Sequence, residues 1–120
     1  MCILIKNNVD LQVNNIKKDK EGRYIQINGK LNGKLLSLCN VYGPNKDDIQ
    51  FFIDILEKTD TADTEFNIIG GDFNCILNNE IDKKGGSTRH ANKKNQEFIN
   101  AWITEYDLVD IWRQKHPCLK

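Results

Sequence analysis

The residues best suited to chemistry lie in the segment 68–74, IIGGDFN, where an apolar run ends in two glycines, an acid and an amide. A strand that ends this way delivers Asp72 to the carboxyl-terminal edge of a sheet, where open α/β sheets commonly place their sites. In extended backbone, Asn74 projects to the same side as Asp72. Such a pair can orient a water and bind a phosphate oxygen. The alternative is a turn in which both side chains bond to nearby backbone N–H groups.

A second polar segment, 40–45 (NVYGPN), also follows an apolar run. The phenol of Tyr42 can bond to a phosphate oxygen, and Asn45 can either reach a substrate or cap the helix that follows. The alternatives are a buried aromatic residue at Tyr42 and a purely structural cap at Asn45. These residues are therefore candidates for the same kind of phosphate chemistry as Asp72.

A dense positive stretch between residues 83 and 94 is the third candidate. A flexible basic loop can contact a nucleic-acid backbone without reading its sequence, and the affinity would depend on salt. A solvated loop face is the alternative explanation. The cations of this stretch are Lys83, Lys84, Arg89, Lys93 and Lys94, with His90 among them.

Ligand spacing excludes several other sites. Counted from Asp72, a calcium-binding loop needs an acid or amide, a glycine and a glutamate, and this chain has Ile76, Leu77 and Lys83 instead. Neither glycine-rich nucleotide motif occurs, and the four cysteines form no CxxC pair, so we expect reduced thiols. Seventeen basic residues balance seventeen acidic ones, so any attraction to nucleic acid must be local.

Length and composition favour one globular domain of 120 residues, 39% of them hydrophobic. The longest apolar runs are far shorter than a membrane span, and the first residues lack the pattern of a signal peptide. We therefore expect no membrane association and a nuclear or cytoplasmic location.

The elements that must position the candidate residues begin with a meander of strands. Alternating apolar residues predict a half-buried strand over 24–31, and Asn32-Gly33 then predicts an antiparallel hairpin to the apolar run 35–41. A polar connection over 17–22 predicts another hairpin, from a strand that carries Leu11, Val13 and Ile16. The N-terminal third is therefore expected to be an antiparallel sheet.

Helices and shorter strands are predicted after Pro44. The first helix starts from a cap at Asn45, with an acidic first turn at Asp47 and Asp48. A strand over 66–69 stops at the glycine pair, and 72–86 is an irregular loop. A second helix covers 92–106 until Asp107 breaks it, and a last strand or buried turn follows near 108–112.

The residues expected to be buried are Ile49, Phe52, Ile53 and Leu56 in the first helix, Ile76, Leu77 and Ile81 in the loop, and Phe98, Ile99, Trp102, Ile103 and Tyr106 in the second helix. This order predicts an α/β chain with a mixed or antiparallel sheet.

NVYGPN and IIGGDFN, in this order and separated by an amphipathic helix, resemble the endonuclease/exonuclease/phosphatase superfamily, and specifically the endonuclease domain of LINE-type non-LTR retrotransposons. The segments DKKGG (82–86) and DLVDIWRQKHP (107–117) add to the likeness. The resemblance implies a magnesium-dependent hydrolase that nicks DNA and has a four-layer α/β sandwich fold. It also implies that Tyr42 contacts the scissile phosphate, that Asp72 orients or deprotonates the attacking water, and that Asn74 binds the phosphate and holds Asp72.

Departures from the family pattern are equally specific. The family's Asn and metal-binding Glu on earlier strands are absent, as are its later Ser-x-Ile-Asp motif and terminal Ser-Asp-His. We therefore expect 1–120 to be a single partial sandwich domain, a central fragment with no metal ligands of its own and weak or no activity. The alternative function is a non-catalytic nucleic-acid-binding module that uses Lys83 to Lys94. Open sheet edges and an uncovered apolar face should follow, and both favour self-association.

Overall fold

The computed structural model describes residues 1–59, 64–82 and 92–119. It divides into two compact units, one formed by Met1–Gly43 and Ile53–Phe73 and the other by Pro44–Phe52 and Asn74–Lys120. The elements of the described residues are β1 (Leu11–Lys18), β2 (Tyr24–Leu31), β3 (Lys34–Tyr42), α1 (Ile49–Lys58), β4 (Phe66–Asp72), α2 (Asn79–Asp82), α3 (Lys93–Glu105) and α4 (Ile111–Lys115). The predicted mixed α/β character is confirmed. In the described residues, no helix is long and apolar enough to cross a membrane.

The first unit is built on a four-stranded mixed sheet with the order β1-β2-β3-β4. β1, β2 and β3 are antiparallel neighbours, and β4 runs parallel to β3. Both hairpins predicted from the sequence are confirmed. Asn32 and Gly33 have φ values of 50° and 80°, the conformation that a tight hairpin turn requires, and Leu31 pairs with Lys34 across the turn.

β2 is buried on both faces, so the predicted half-buried strand is wrong. Gln26 is only 1% exposed and donates a hydrogen bond from Nε2 to Ser37 Oγ at 2.9 Å, so the polar face is satisfied inside the protein. On this face the Lys58 ammonium lies 5.6 Å from the centre of the Tyr24 ring, which brings the end of α1 onto the sheet. Buried polar residues that bond to one another cannot be told from exposed ones by alternation alone.

The opposite face of the sheet is apolar. Leu36 and Leu38 of β3 lie beside Phe66 and Ile68 of β4, and the N-terminal segment around Ile3–Val9 lies over part of this surface. A hollow of about 670 Å³ separates the segment from the strands. Phe66 and Ile68 keep 49% and 56% of their surface exposed, so this face is only partly covered.

Two predicted element boundaries are wrong. α1 begins at Ile49, after an exposed Asn45, because Asp48 is the residue that caps it: its carboxylate accepts a hydrogen bond from the N–H of Phe51 at 3.2 Å. The expected acidic first turn is therefore absent, and Asp47 and Asp48 precede the helix. β4 does not stop at the glycine pair but includes Gly70 and Gly71 and ends at Asp72.

The C-terminal part of the chain belongs to the second unit. α3 is confirmed with Ile99 and Trp102 buried, and Asp107 ends it with a φ of 50°. The predicted burial of Tyr106 and Ile76 is wrong, since they are 42% and 38% exposed. The predicted last strand or buried turn near 108–112 is also wrong. Asp110 accepts a hydrogen bond from the N–H of Arg113 at 2.9 Å and caps α4 instead, and no residue of α4 is buried. Within the predicted loop, Asn79–Asp82 forms the short helix α2.

Candidate active site

Two of the predicted catalytic residues, Tyr42 and Asp72, are register partners at the carboxyl ends of the parallel strands β3 and β4. Partners in a parallel pair share one face of the sheet. Tyr42 is 48% exposed and Asp72 is exposed, so both reach solvent at this edge. The structure therefore brings an acidic acceptor and a phenolic donor together on one surface of the first unit.

Backbone hydrogen bonds hold both strand ends. The N–H of Gly43 donates to the carbonyl of Asp72 at 2.6 Å, and the N–H of Tyr42 donates to the carbonyl of Arg23 at 2.7 Å. Because each bond ties a candidate residue, or its neighbour, to the adjacent strand, the backbones of Tyr42 and Asp72 are fixed by the sheet rather than by a loop.

Glycines next to the two residues make the close approach of the strands possible. A Cβ added to Gly43 would overlap the carbonyl oxygen of Phe73, and one added to Gly71 would overlap that of Val41. Gly71 also has a φ of 133°, which L side chains rarely adopt. A Cβ on Gly70 would meet open space. Of the glycine pair singled out in the sequence, Gly71 is thus the one that strand packing requires.

Asn74, the third predicted catalytic residue, belongs to the second unit and has a φ of 50°. The expectation that alternation along an extended chain sets its direction is wrong, because the strand has ended and the backbone is left-handed. Its carbonyl accepts a hydrogen bond from Asn92 Nδ2 at 2.7 Å. Farther along the loop, Gln96 and Asn100 donate side-chain hydrogen bonds to the carbonyl of Leu77 at 3.0 and 3.3 Å.

Asn92, directly before α3, and Gln96 and Asn100 within it recur every four residues and hold the loop that carries Asn74. Sequence reasoning missed them, although amides at positions i, i+4 and i+8 of a predicted helix are a visible pattern. Their role is to position the backbone of Asn74 and Leu77, since each donates to a main-chain carbonyl.

Asn95 fixes the segment that follows Asn45. Its side chain is fully buried, its Oδ1 accepts from the N–H of Asp48 at 2.9 Å, and its Nδ2 donates to the carbonyl of Lys46 at 3.1 Å. Its own N–H donates to Asp47 Oδ1 at 3.1 Å. Asn45, a predicted substrate contact, is exposed at the start of this anchored segment.

The predicted basic loop lies mostly outside the described residues, including Lys83, Lys84 and Arg89. Lys93 and Lys94 are described and are exposed at the start of α3. The Lys93 ammonium lies 3.6 Å from Oε1 of Glu97, one turn further along the helix. Exposed pairs of this kind contribute little to stability.

The resemblance implies a magnesium ion, which needs oxygen donors. Mg²⁺ prefers an octahedron of oxygen ligands that usually includes one or two carboxylates. Among the described residues, no group of three His, Cys, Asp or Glu side chains could hold a metal ion. Asp72 offers one exposed carboxylate at the strand end.

Cys39 can be set aside as a nucleophile. It is 4% exposed on β3, and burial raises the pKa of its thiol to about 11. The thiolate is the reactive form, so this group is inert at neutral pH. All four cysteines are free thiols.

No protein-family model matches this chain. What its geometry offers chemically is a solvent-facing pair, Tyr42 and Asp72, on a rigid strand edge. A carboxylate there can accept a proton from water, and a phenol can donate to an oxyanion.

Proposed function

We propose that this chain carries part of the active site of a magnesium-dependent DNA endonuclease of the LINE-type retrotransposon class, with weak or no cleavage by the chain alone. The observation that carries the proposal is the pairing of Tyr42 with Asp72 at the carboxyl ends of two parallel strands. The two segments that prompted the resemblance, 40–45 and 68–74, are far apart in the chain, and each supplies one member of this pair.

Each residue has a role that its chemistry permits. Asp72 accepts a hydrogen bond from the attacking water and can take its proton, and Tyr42 donates from its hydroxyl to a non-bridging oxygen of the phosphate. The resemblance assigns a phosphate-binding amide to Asn74, whose backbone carbonyl accepts a hydrogen bond from Asn92 within the second unit. Because the resemblance assigns no metal ligand to this sequence, the chain alone is expected to cleave slowly at best.

The partial four-layer sandwich is also part of this proposal. Its support is the contrast between the two faces of the sheet. One face is buried at Tyr24, where Lys58 at the end of α1 lies over the ring, and the other is apolar and half exposed at Phe66 and Ile68. In a sandwich, such an apolar face packs against a second sheet.

Titration of the ¹⁵N-labelled chain with a short DNA duplex in the presence of Mg²⁺ tests the assignment of the site. We expect the largest amide shift changes at Tyr42, Gly43 and Asp72, and weaker binding by Tyr42→Phe. Tyr106→Phe is the matched control, since Tyr106 is a similarly exposed tyrosine in the second unit. Shift changes confined to other parts of the chain, or equal effects of the two substitutions, would overturn the assignment.

A further inference from the structure

The two edges of the sheet differ in how they are protected. β1 has a register shift between Val13 and Asn15 and ends in Lys17 and Lys18. Bulges and lysines both discourage the pairing of an edge strand with another chain. β4, FNIIGGD, contains no lysine, arginine or proline and pairs with β3 over seven residues without a register shift. Of the two edge strands, β4 is therefore the one that lacks these protective features among the described residues.

The backbone of β4 is arranged to accept another strand. The bond from the N–H of Gly43 to the carbonyl of Asp72 shows that even-numbered residues direct their backbone groups toward β3. The odd-numbered residues Asn67, Ile69 and Gly71 consequently direct theirs away from the sheet. Phe66 and Ile68 line this edge with 49% and 56% of their surface exposed.

We propose that β4 pairs antiparallel with β4 of a second copy of this chain, about a two-fold axis at Ile69, so that two four-stranded sheets become one. Ile69 is the midpoint of β4, so this register pairs all seven residues of the strand. An axis perpendicular to the sheet keeps the apolar faces of both copies on the same side. The contact is isologous, so the same surface serves both copies.

Charge complementarity selects a second copy as the partner. In this register Phe66 lies opposite Asp72 of the second copy, and directly opposed residues come within about 5.5 Å at their Cβ atoms. The Lys34 ammonium lies 5.3 Å from the Phe66 ring centre, so in this register a cation stands beside the position of the second copy's Asp72. The same ion pair forms again on the other side of the axis. Ile68 lies opposite Gly70 of the second copy, where open space is available for its side chain.

Sedimentation velocity of the full chain over a wide concentration range tests the pairing. We expect the fraction of dimer to rise with concentration. Ile68→Lys should raise the dissociation constant of the dimer by about tenfold or more. Ile16→Lys is the matched control, because Ile16 is equally exposed, at 56%, on the opposite edge strand. A monomer at all concentrations, or equal effects of the two substitutions, would overturn the proposal.

A charge exchange tests the register. Lys34→Glu and Asp72→Lys should each weaken the dimer by about tenfold, since two exposed ion pairs are lost per dimer. The double variant should restore association, and a double variant that stays monomeric would overturn this register. Circular dichroism of each variant shows whether the fold is retained. Because sedimentation does not measure cleavage, a negative result here leaves the nuclease proposal unaffected.

Discussion

Tyr42 and Asp72 face each other as the last residues of β3 and β4, and the carbonyl of Asp72 accepts a hydrogen bond from the residue after Tyr42. Their separation is therefore set by the spacing of two hydrogen-bonded strands rather than by flexible loops. Gly43 and Gly71 make this spacing possible, because side chains at either position would overlap a neighbouring carbonyl. The pair is as rigid as the sheet edge, which is what a positioned acid and donor require.

Gly71→Ala is expected to destabilise the chain by about 1–3 kcal/mol, because the new methyl group meets the carbonyl of Val41 at a φ that disfavours it. Gly70→Ala is the matched control and should be neutral or slightly stabilising, since its Cβ meets open space. Urea denaturation followed by circular dichroism measures both. Equal losses of stability would show that the strands do not approach each other closely at Gly71.

Asn95→Ala is expected to cost about 1–3 kcal/mol, because it leaves the N–H of Asp48 and the carbonyl of Lys46 without their buried partner. Asn100→Ala removes one exposed hydrogen bond of 3.3 Å from the same helix and should cost less than about 0.5 kcal/mol. Denaturant midpoints of the two variants give the comparison. If Asn95→Ala were as mild as Asn100→Ala, the anchoring of the segment after Asn45 would be disproved.

Sequence reasoning found the parts of the fold that depend on neighbouring residues. Asn32-Gly33 fixed the β2–β3 hairpin because its positive φ values are a local preference. Apolar spacing located α3, and Asp107 correctly marked its end. Tyr42 and Asp72 were both identified at strand ends from the apolar runs before them.

The errors arose where distant residues decide the outcome. β4 continues through Gly70 and Gly71 because β3 pairs with it as far as Asp72. Asn95 bonds to Asp48 and Lys46, which precede it by 47 and 49 positions in the chain. No local sequence pattern reveals contacts at such a separation. Asp48 rather than Asn45 caps α1. Which of these two residues caps the helix depends on how the chain before the helix is held, and here Asn95 donates a hydrogen bond to Asp47. Local rules therefore predict elements, and long-range contacts decide their ends.

Cys39 should make the stability of the chain fall at alkaline pH. Burial raises the pKa of its thiol from the ordinary value of 9.0 to about 11, so the folded state keeps a proton that the unfolded state loses between these values. The free energy of unfolding therefore declines as pH rises through this window, by about 3 kcal/mol at most, and is unaffected by this group below it. Denaturation across the window should show a smaller decline for Cys39→Ala than for the wild type. Cys118→Ala, at an exposed thiol, is the control and should decline as the wild type does.

Nicking of supercoiled plasmid with Mg²⁺ tests the chemistry assigned to Asp72. Any residual activity should fall by on the order of a hundredfold in Asp72→Ala, because the group that orients the water is lost. Adding Asn74→Ala should have little further effect, since groups that act together are not additive. Asp10→Ala, an exposed acid elsewhere in the first unit, should leave the rate unchanged. Protein is kept dilute so that pairing through β4 does not compete for Asp72. Nicking that survives Asp72→Ala would exclude Asp72 from the reaction, and vigorous nicking by the wild type would contradict a chain that is weak alone.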